Sequence, residues 1–249
     1  MRADQLLVER GLAASRSQAQ RLIATGVRWR LGAGDWKTVA KNGDELRETV
    51  ELQLVDNAES RYVSRGGLKL EGALRAAALD VQGWTCLDVG QSTGGFTDCL
   101  LQQGAAQVTG VDVGHGQLHP SLRADARVRC IEKCNARELS PTVVGEGFDL
   151  VVGDLSFISL TLVLPALVPL LRPGGVLLML VKPQFELQPQ QIGKGGIVRD
   201  VALYALVEQR LREACAALHL RLRGWYDSPI AGGDGNREFF VFAEKYKEA

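Results

Sequence analysis

Histidine, net charge and long apolar runs are all scarce in this chain. Histidine occurs three times in 249 residues, at His115, His119 and His219. The pair Cys130-x-x-x-Cys134 therefore has few partners with which to complete a metal site, and no metal is expected. The five cysteines are an odd number, and Cys86 and Cys99 lie in apolar runs, which fits reduced thiols rather than a disulfide framework. The 29 basic and 29 acidic side chains cancel, so any basic surface must be local. Two apolar stretches, 162–171 and 176–181, are cut by Pro165, Pro169 and Arg172-Pro-Gly-Gly175. Neither approaches the roughly 20 residues that cross a bilayer. The amino terminus is charged at once and lacks a signal-peptide apolar core, so a cytoplasmic protein without stable membrane association is expected; the sequence leaves the oligomeric state open, with a monomer the simplest expectation.

The basic charge that exists is concentrated. Residues 1–30 hold six arginines against Asp4 and Glu9, whereas residues 31–60 hold three basic and seven acidic side chains. Helices are expected over 3–10 and from the Ser15-x-x-Gln18 capping box to Gly26. The period then shifts to two, predicting strands over 27–31, 36–39 and 45–54 with turns at Gly32-Ala-Gly34 and Asn42-Gly43-Asp44. Arg28 and Arg30 share one face of their strand, and Arg16 and Arg21 lie on the helix before it. With Arg2 and Arg65 they form the candidate RNA-binding set, since guanidinium groups on a shaped surface suit RNA phosphates. A solvated helix face is the plainer reading of the same charges. The order of residues, from Leu6-Leu7-Val8-Glu9-Arg10-Gly11 through Ser15-Arg16-Ser17 and Leu22-Ile23 to the late Gly43-Asp44 turn, resembles the alpha-L RNA-binding domain over residues 2 to about 55.

The expected organisation is a domain over 1–60, a linker over 61–67 that follows a polar hinge at Asn57-Ala-Glu-Ser60, and a larger domain over 68–249. In the larger part, helix 68–79, strand 86–89, helix 95–103, strand 107–112, strand 149–154, helix 161–171, strand 176–182 and helix 202–218 alternate. Such alternation predicts an α/β fold with a mainly parallel sheet covered on both faces. Strands 220–227 and 238–244 follow with no helix between them, which inserts an antiparallel strand. That ending resembles Rossmann-like methyltransferases more than dehydrogenases.

A strand, a glycine loop and a helix meet in Asp88-Val-Gly-Gln-Ser-Thr-Gly-Gly-Phe96, and Asp112 follows Gly90 by 22 residues. Glycines allow close backbone approach to a ligand, and a carboxylate about 20 residues on can bind ribose hydroxyls. The spacing is Gly-x-x-x-Gly-Gly without lysine, which fits S-adenosylmethionine better than a dinucleotide. Asp88, Gly90, Ser92, Gly94, Gly95, Phe96 and Asp112 are the candidate binding residues. Ligands in open α/β sheets bind at the carboxyl ends of the strands. Asp154 and Lys182 are expected there, Glu238 at the same edge on a reversed strand, and Lys69 on the first turn of the preceding helix. Asp154 or Lys182 alone reads equally well as part of a strand-end ion pair in solvent. A ribose hydroxyl becomes a useful nucleophile only when its proton has somewhere to go. Lys182, held by Asp154, is the candidate base or electrostatic guide, with Lys69 and Glu238 fixing the nucleotide. Neither Asp154-Leu-Ser-Phe157 nor Lys182-Pro-Gln-Phe185 carries the cysteine that pyrimidine carbon methylation needs. Nor is there an Asn- or Asp-Pro-Pro-aromatic turn for amine methylation. Phe157 reads either as a ring packed on adenine or as an ordinary core residue.

Tyr62-Val-Ser-Arg-Gly-Gly-Leu-Lys-Leu70, the glycine loop through Asp98, Asp112-Val-Gly-His-Gly-Gln-Leu118, Asn135-Ala-Arg137, Asp154-Leu-Ser-Phe-Ile-Ser159, Val181-Lys-Pro-Gln-Phe-Glu186 and Gly235-Asn-Arg-Glu238 together resemble the TlyA family. The resemblance spans essentially the whole chain. It implies an rRNA cytidine 2'-O-methyltransferase with an FtsJ-like catalytic half, S-adenosylmethionine as cofactor, and ribosomal RNA or a ribosomal subunit as partner. It also implies a tetrad of Lys69, Asp154, Lys182 and Glu238, and adds Asn135 to the cofactor set. The hinge reads Ser60-Arg-Tyr-Val63, a departure from the Arg-Ala-Trp-Val of one member of the family. The short termini resemble the branch that acts on large-subunit rRNA, with small-subunit rRNA the other candidate. Three rivals stand beside this reading: a membrane-lytic protein, suggested by the family's hemolysin label; an RNA-binding protein with an inactive methyltransferase half; and a small-molecule O-methyltransferase, which would have no use for the first 60 residues.

Overall fold

The structure, a computed structural model, describes residues 1–13, 15–54 and 61–246, without the side chains of Arg21 and Thr25. The chain divides into two compact units, Met1–Arg65 and Gly66–Ala249. The hinge expected over 57–60 lies outside the described residues.

In the first unit, α1 (Ala3–Glu9) and α2 (Arg16–Gly26) precede a small antiparallel sheet of β1 (Val27–Arg30), β2 (Lys37–Thr38) and β3 (Glu51–Leu54), in the order β2-β1-β3. Ser15 caps α2, its Oγ accepting from the Gln18 amide at 3.2 Å, which satisfies one of the orphan donors at a helix start. Leu6, Leu7, Ala19, Leu22 and Val27 form a fully buried centre. The expected strands over 36–39 and 45–54 are shorter than their alternation suggested. Asp44 draws the intervening chain into a turn, its Oδ2 accepting from the amides of Ala40 and Lys41 at 2.8 and 3.0 Å. Those amides are thereby withdrawn from sheet pairing.

The second unit runs α3 (Gly66–Ala76), β4 (Thr85–Val89), α4 (Gly95–Gln102), β5 (Gln107–Val111), α5 (Pro120–Arg123), β6 (Val128–Ile131), α6 (Pro141–Val144), β7 (Phe148–Gly153), α7 (Leu164–Leu167), β8 (Leu171–Val181), α8 (Pro183–Glu186), α9 (Ala202–Ala217), β9 (Leu220–Asp227) and β10 (Phe239–Lys245). The sheet order is β6-β5-β4-β7-β8-β10-β9. β6 through β8 pair in parallel, and β10 is antiparallel to both of its neighbours. Central strands are buried on both faces. On β4, Leu87 and Val89 enter one core with Val151 of β7 and with Leu177, Met179 and Val181 of β8, while Cys86 and Asp88 are buried on the other side. Continuous apolar runs, rather than alternation, are the mark of such strands.

Two expectations for this unit need correction. β6 was not foreseen, because Val128-Arg-Cys-Ile131 is a half-exposed edge strand bearing Arg129. The single helix expected over 161–171 is a 3-10 turn, one turn of α-helix and a second 3-10 turn. Pro165 and Pro169 each open a new turn there, since proline has no amide to continue the previous one.

Candidate active site

Four ionisable side chains from distant segments converge beyond the carboxyl ends of β7 and β8. Asp154 follows β7, Lys182 follows β8 as the residue before α8, Lys69 lies in the first turn of α3, and Glu238 immediately precedes β10. Because β10 runs against its neighbours, its start lies at the edge where β8 ends, with Phe239 paired to Val181. Lys182 Nζ is 2.6 Å from Asp154 Oδ1 and donates to Ser156 Oγ at 2.8 Å. The Asp154 contact is a close ion pair rather than an aligned hydrogen bond, since Oδ1 has no hydrogen-bond partner. Lys69 Nζ donates to Glu238 Oε2 at 2.5 Å and stands 3.9 Å from Asp154 Oδ2. Asp154 thus lies between both ammonium groups, and the cluster alternates in sign from Lys182 to Glu238. The Lys69 and Glu238 side chains are only 6% and 2% exposed, whereas those of Lys182 and Asp154 retain 13% and 24%. The enclosed pair is structural ground for the more accessible one.

The segments that carry Asp154 and Lys182 are strapped together. Ser159 Oγ donates to Glu186 Oε2 at 2.5 Å, and the Leu160 amide donates to Glu186 Oε1 at 2.7 Å. Burial pushes the Glu186 carboxyl up, against the pull of those two hydrogen bonds. Phe157 and Phe185 touch across the same gap with ring centroids 5.0 Å apart. Phe157 is 91% exposed at φ +64°, so the core reading of this ring is wrong. An exposed aromatic ring held in the left-handed region is costly to the fold.

The glycine loop lies beside this cluster. Gly90 and Gly94 have φ of +85° and +95°, and neither has room for a Cβ: one would meet the Asp154 carbonyl oxygen at 2.8 Å and the other would run into a Leu122 methyl. Gly94 is the N-cap of α4 and provides no side-chain cap. Asp112, just past β5, accepts from the Ser92 amide at 2.7 Å and from the Gly114 amide at 2.7 Å. Each carboxylate oxygen keeps a second lone pair, so the side chain is oriented and still able to accept from hydroxyls. Beneath the loop, Asp88 is 1% exposed; Thr97 donates to its Oδ2 at 2.7 Å, and Gln91 donates to the Thr97 hydroxyl at 2.9 Å. Asp88 Oδ1 and Gln91 Oε1 remain buried without a donor. Burial pushes the Asp88 carboxyl up to about 7, with the Thr97 hydrogen bond opposing.

Three more candidates, Phe96, Gly95 and Asn135, adjoin the loop or Asp112, whose carbonyl accepts from the Cys134 amide at 2.9 Å. Phe96 is buried, stacked on Phe240 at 6.1 Å, so it can offer a ligand its backbone only. Gly95 is likewise buried in the first turn of α4. Asn135 caps a short 3-10 turn, accepting from the Arg137 amide at 3.1 Å and donating to Glu138 at 3.2 Å. In the first unit, Arg2 and Arg16 converge on the fully buried Asp4 at 3.0 and 3.1 Å. Arg30 pairs with Glu51 at 2.6 Å and lies over the Trp36 ring, whereas Arg28, two residues before it, is exposed. Arg21 lies on α2 with its side chain outside the description, and Arg65 closes the first unit half-buried. Ser156, Glu186, Gln184, Asp234 and Asn236 were not singled out from the sequence. All fall within or beside the quoted motifs, which was the available signal. No cluster that could hold a metal ion occurs among the described residues, and none of their helices is long and apolar enough to cross a membrane.

Comparison with known proteins follows the same lines. The family model of FtsJ-like methyltransferases matches residues 62–245. The 16S/23S rRNA (cytidine-2'-O)-methyltransferase TlyA of Mycobacterium tuberculosis is 46% identical over 97% of this chain and 88% of its own length. The Brachyspira hyodysenteriae protein named Hemolysin A is 36% identical over 97% of this chain and 98% of its own. A structure solved from Streptococcus thermophilus under a hemolysin name superposes with a TM-score of 0.76 at 41% identity, covering 99% of this chain and 88% of that one.

Proposed function

Because the chain belongs to the FtsJ-like methyltransferase family and, within it, to the TlyA rRNA methyltransferases, we propose that it methylates the ribose 2'-hydroxyl of a cytidine in ribosomal RNA. The large-subunit rRNA is the first substrate to test and small-subunit rRNA the second. The observation that carries the reading is the contact of Lys182 with Asp154 at 2.6 Å, backed by the enclosed Lys69–Glu238 pair.

The methyl donor is S-adenosylmethionine, which when bound supplies an electrophilic methyl group on its sulfonium. The residues present fit it. Asp112 offers acceptors for the ribose hydroxyls, and the uncapped start of α4 offers amides for a carboxylate. The unpartnered Asp88 Oδ1 and Gln91 Oε1 make the floor of the loop rich in acceptors, which suits a positively charged ligand. A divalent phosphate-binding loop would need cationic help that this loop lacks.

For the nucleophile, Lys182 either takes the ribose proton as a neutral amine or, as an ammonium, orients the oxygen and stabilises the charge that grows on it while Asp154 takes the proton. Ser156 fixes the ammonium from a second side, which limits its freedom before the hydroxyl arrives. Lys69 and Glu238 hold Asp154 in register. Phe157 offers an exposed face on which a base can stack, as single-stranded RNA recognition commonly requires. The arginines of the first unit supply the phosphate contacts that a chain of zero net charge must concentrate locally.

The test is to incubate the protein with methyl-labelled donor and separated ribosomal subunits from a strain lacking it. Label in large-subunit rRNA supports the reading, and label in both subunits widens the substrate. Label in neither, with an active donor-binding control, contradicts it. Cytoplasmic ribosomes are then the protein's place of work.

A further inference from the structure

The turn that delivers Glu238 is held by side chains to which no role has been given. Asn236 is 2% exposed and uses its whole amide. Its Oδ1 accepts from the Val198 amide at 2.9 Å, and its Nδ2 donates to the Gly196 carbonyl at 2.9 Å and to Asp234 Oδ2 at 2.8 Å. Asp234 Oδ2 also accepts from Gln184 Nε2 at 2.9 Å, while its Oδ1 accepts from the Asn236 amide at 2.9 Å. Gln184 is buried, two residues after Lys182; Asn236 stands two residues before Glu238. One carboxylate therefore joins the segment that ends in one member of the cluster to the segment that begins with another.

This arrangement answers a physical need. Gly232-Gly-Asp-Gly235 has high conformational freedom before folding, and its own backbone bonds, from the Gly232 amide to the Asn236 carbonyl at 2.9 Å and from the Gly235 amide to the Gly232 carbonyl at 3.0 Å, close the turn without tying it to the segment that carries Lys182. Gly232 cannot be larger, because a Cβ there would meet Glu238 Oε1 at 2.8 Å and Asp234 Oδ1 at 2.7 Å. A loose turn is the condition for seating the carboxylate, and the clasp restores the lost order.

We propose that Gln184, Asp234 and Asn236 are positioning residues that set the relative placement of Lys182 and Glu238. The proposal rests on the methyltransferase reading above. A displacement on the order of 1 Å far from the reacting atoms can lower a rate about a hundredfold. Asn236→Ala is accordingly expected to reduce kcat about a hundredfold, with donor affinity by calorimetry and KM for the RNA nearly unchanged and a cooperative melt retained. Gln184→Ala, which leaves the Asn236 anchors in place, loses less. The double variant is no slower than Asn236→Ala, since residues of one network are not additive.

The measurements are steady-state methylation of ribosomal subunits, calorimetric titration with the donor, and thermal melts of the full chain. Single variants with wild-type kcat, or losses that multiply in the double variant, overturn the clasp. If Asn236→Ala does not fold, Gln184→Ala decides the matter by the same kcat and KM comparison. A wild-type protein that transfers no methyl group overturns the functional reading instead, so the two failures are distinct.

Discussion

Lys69 and Glu238 are 169 residues apart in the chain and 2.5 Å apart in the fold, with both side chains almost fully enclosed. Two opposite charges withdrawn from water depend on each other more than any exposed pair does. Removing one partner of a buried pair leaves an uncompensated charge and costs about 3–5 kcal/mol, whereas removing both can be nearly neutral. Lys69→Met is therefore expected to lower the urea midpoint strongly, and adding Glu238→Gln to restore most of it. Both variants are inactive in methyl transfer. Additive destabilisation in the double variant would show that the two groups do not act as a pair.

Lys182 carries the chemistry in this account, while the glycine loop carries the donor. Lys182→Ala should lower kcat by about 10²- to 10⁴-fold, the range for a group that manages a proton in the transition state. Calorimetric affinity for S-adenosylmethionine should stay close to that of the unaltered protein. A variant that methylates RNA at the original rate excludes both proposed roles of this lysine.

The enclosed carboxyl of Asp88 makes stability depend on pH. Burial raises it from 3.8 to about 7 in the folded chain, so the fold prefers the protonated form. Its favourable contribution is complete below about 3.8 and is lost as pH rises through about 7. Asp88→Asn, which mimics the neutral form, should gain melting temperature relative to the original protein between those limits. A difference that does not change with pH would contradict this assignment.

Asp4 has the opposite sign. The Arg2 hydrogen bonds hold its carboxyl well below the usual carboxylate range despite opposing burial, with Gln20 and Arg16 assisting. The stability it supplies is present above the unfolded value of 3.8 and is lost as pH falls below it. Hydrogen exchange of α1 in the full chain should accelerate in Asp4→Asn at neutral pH, and the difference should shrink in acid. Equal exchange at neutral pH would mean that the buried carboxylate does not hold α1.

Much of this was legible in residues 107–112, 149–154 and 176–182, where apolar runs end in polar residues and so mark strand ends at the ligand edge. That rule places Asp112, Asp154 and Lys182 together, and the missing helix before residue 238 reverses the last strand and brings Glu238 to the same edge. The contact of Lys69 with Glu238 is not legible in the sequence, because periodicity says nothing about contacts between segments so far apart. The core alternative for Phe157 survives in the sequence because hydrophobicity alone does not reveal a left-handed backbone, and the inward packing of the Phe96 ring is not readable there because motif membership does not reveal which way a ring points. Asn236 and Gln184 were passed over for a related reason: a polar residue beside a conspicuous acid or lysine reads as spacing until its partners are seen.

The most direct test of the central claim is nucleoside mass spectrometry of rRNA after reaction with the original protein and with Asp154→Asn. The account predicts 2'-O-methylcytidine as the product of the former and its absence with the latter. A methyl group found on a base, or 2'-O-methylcytidine formed equally well by Asp154→Asn, would contradict it.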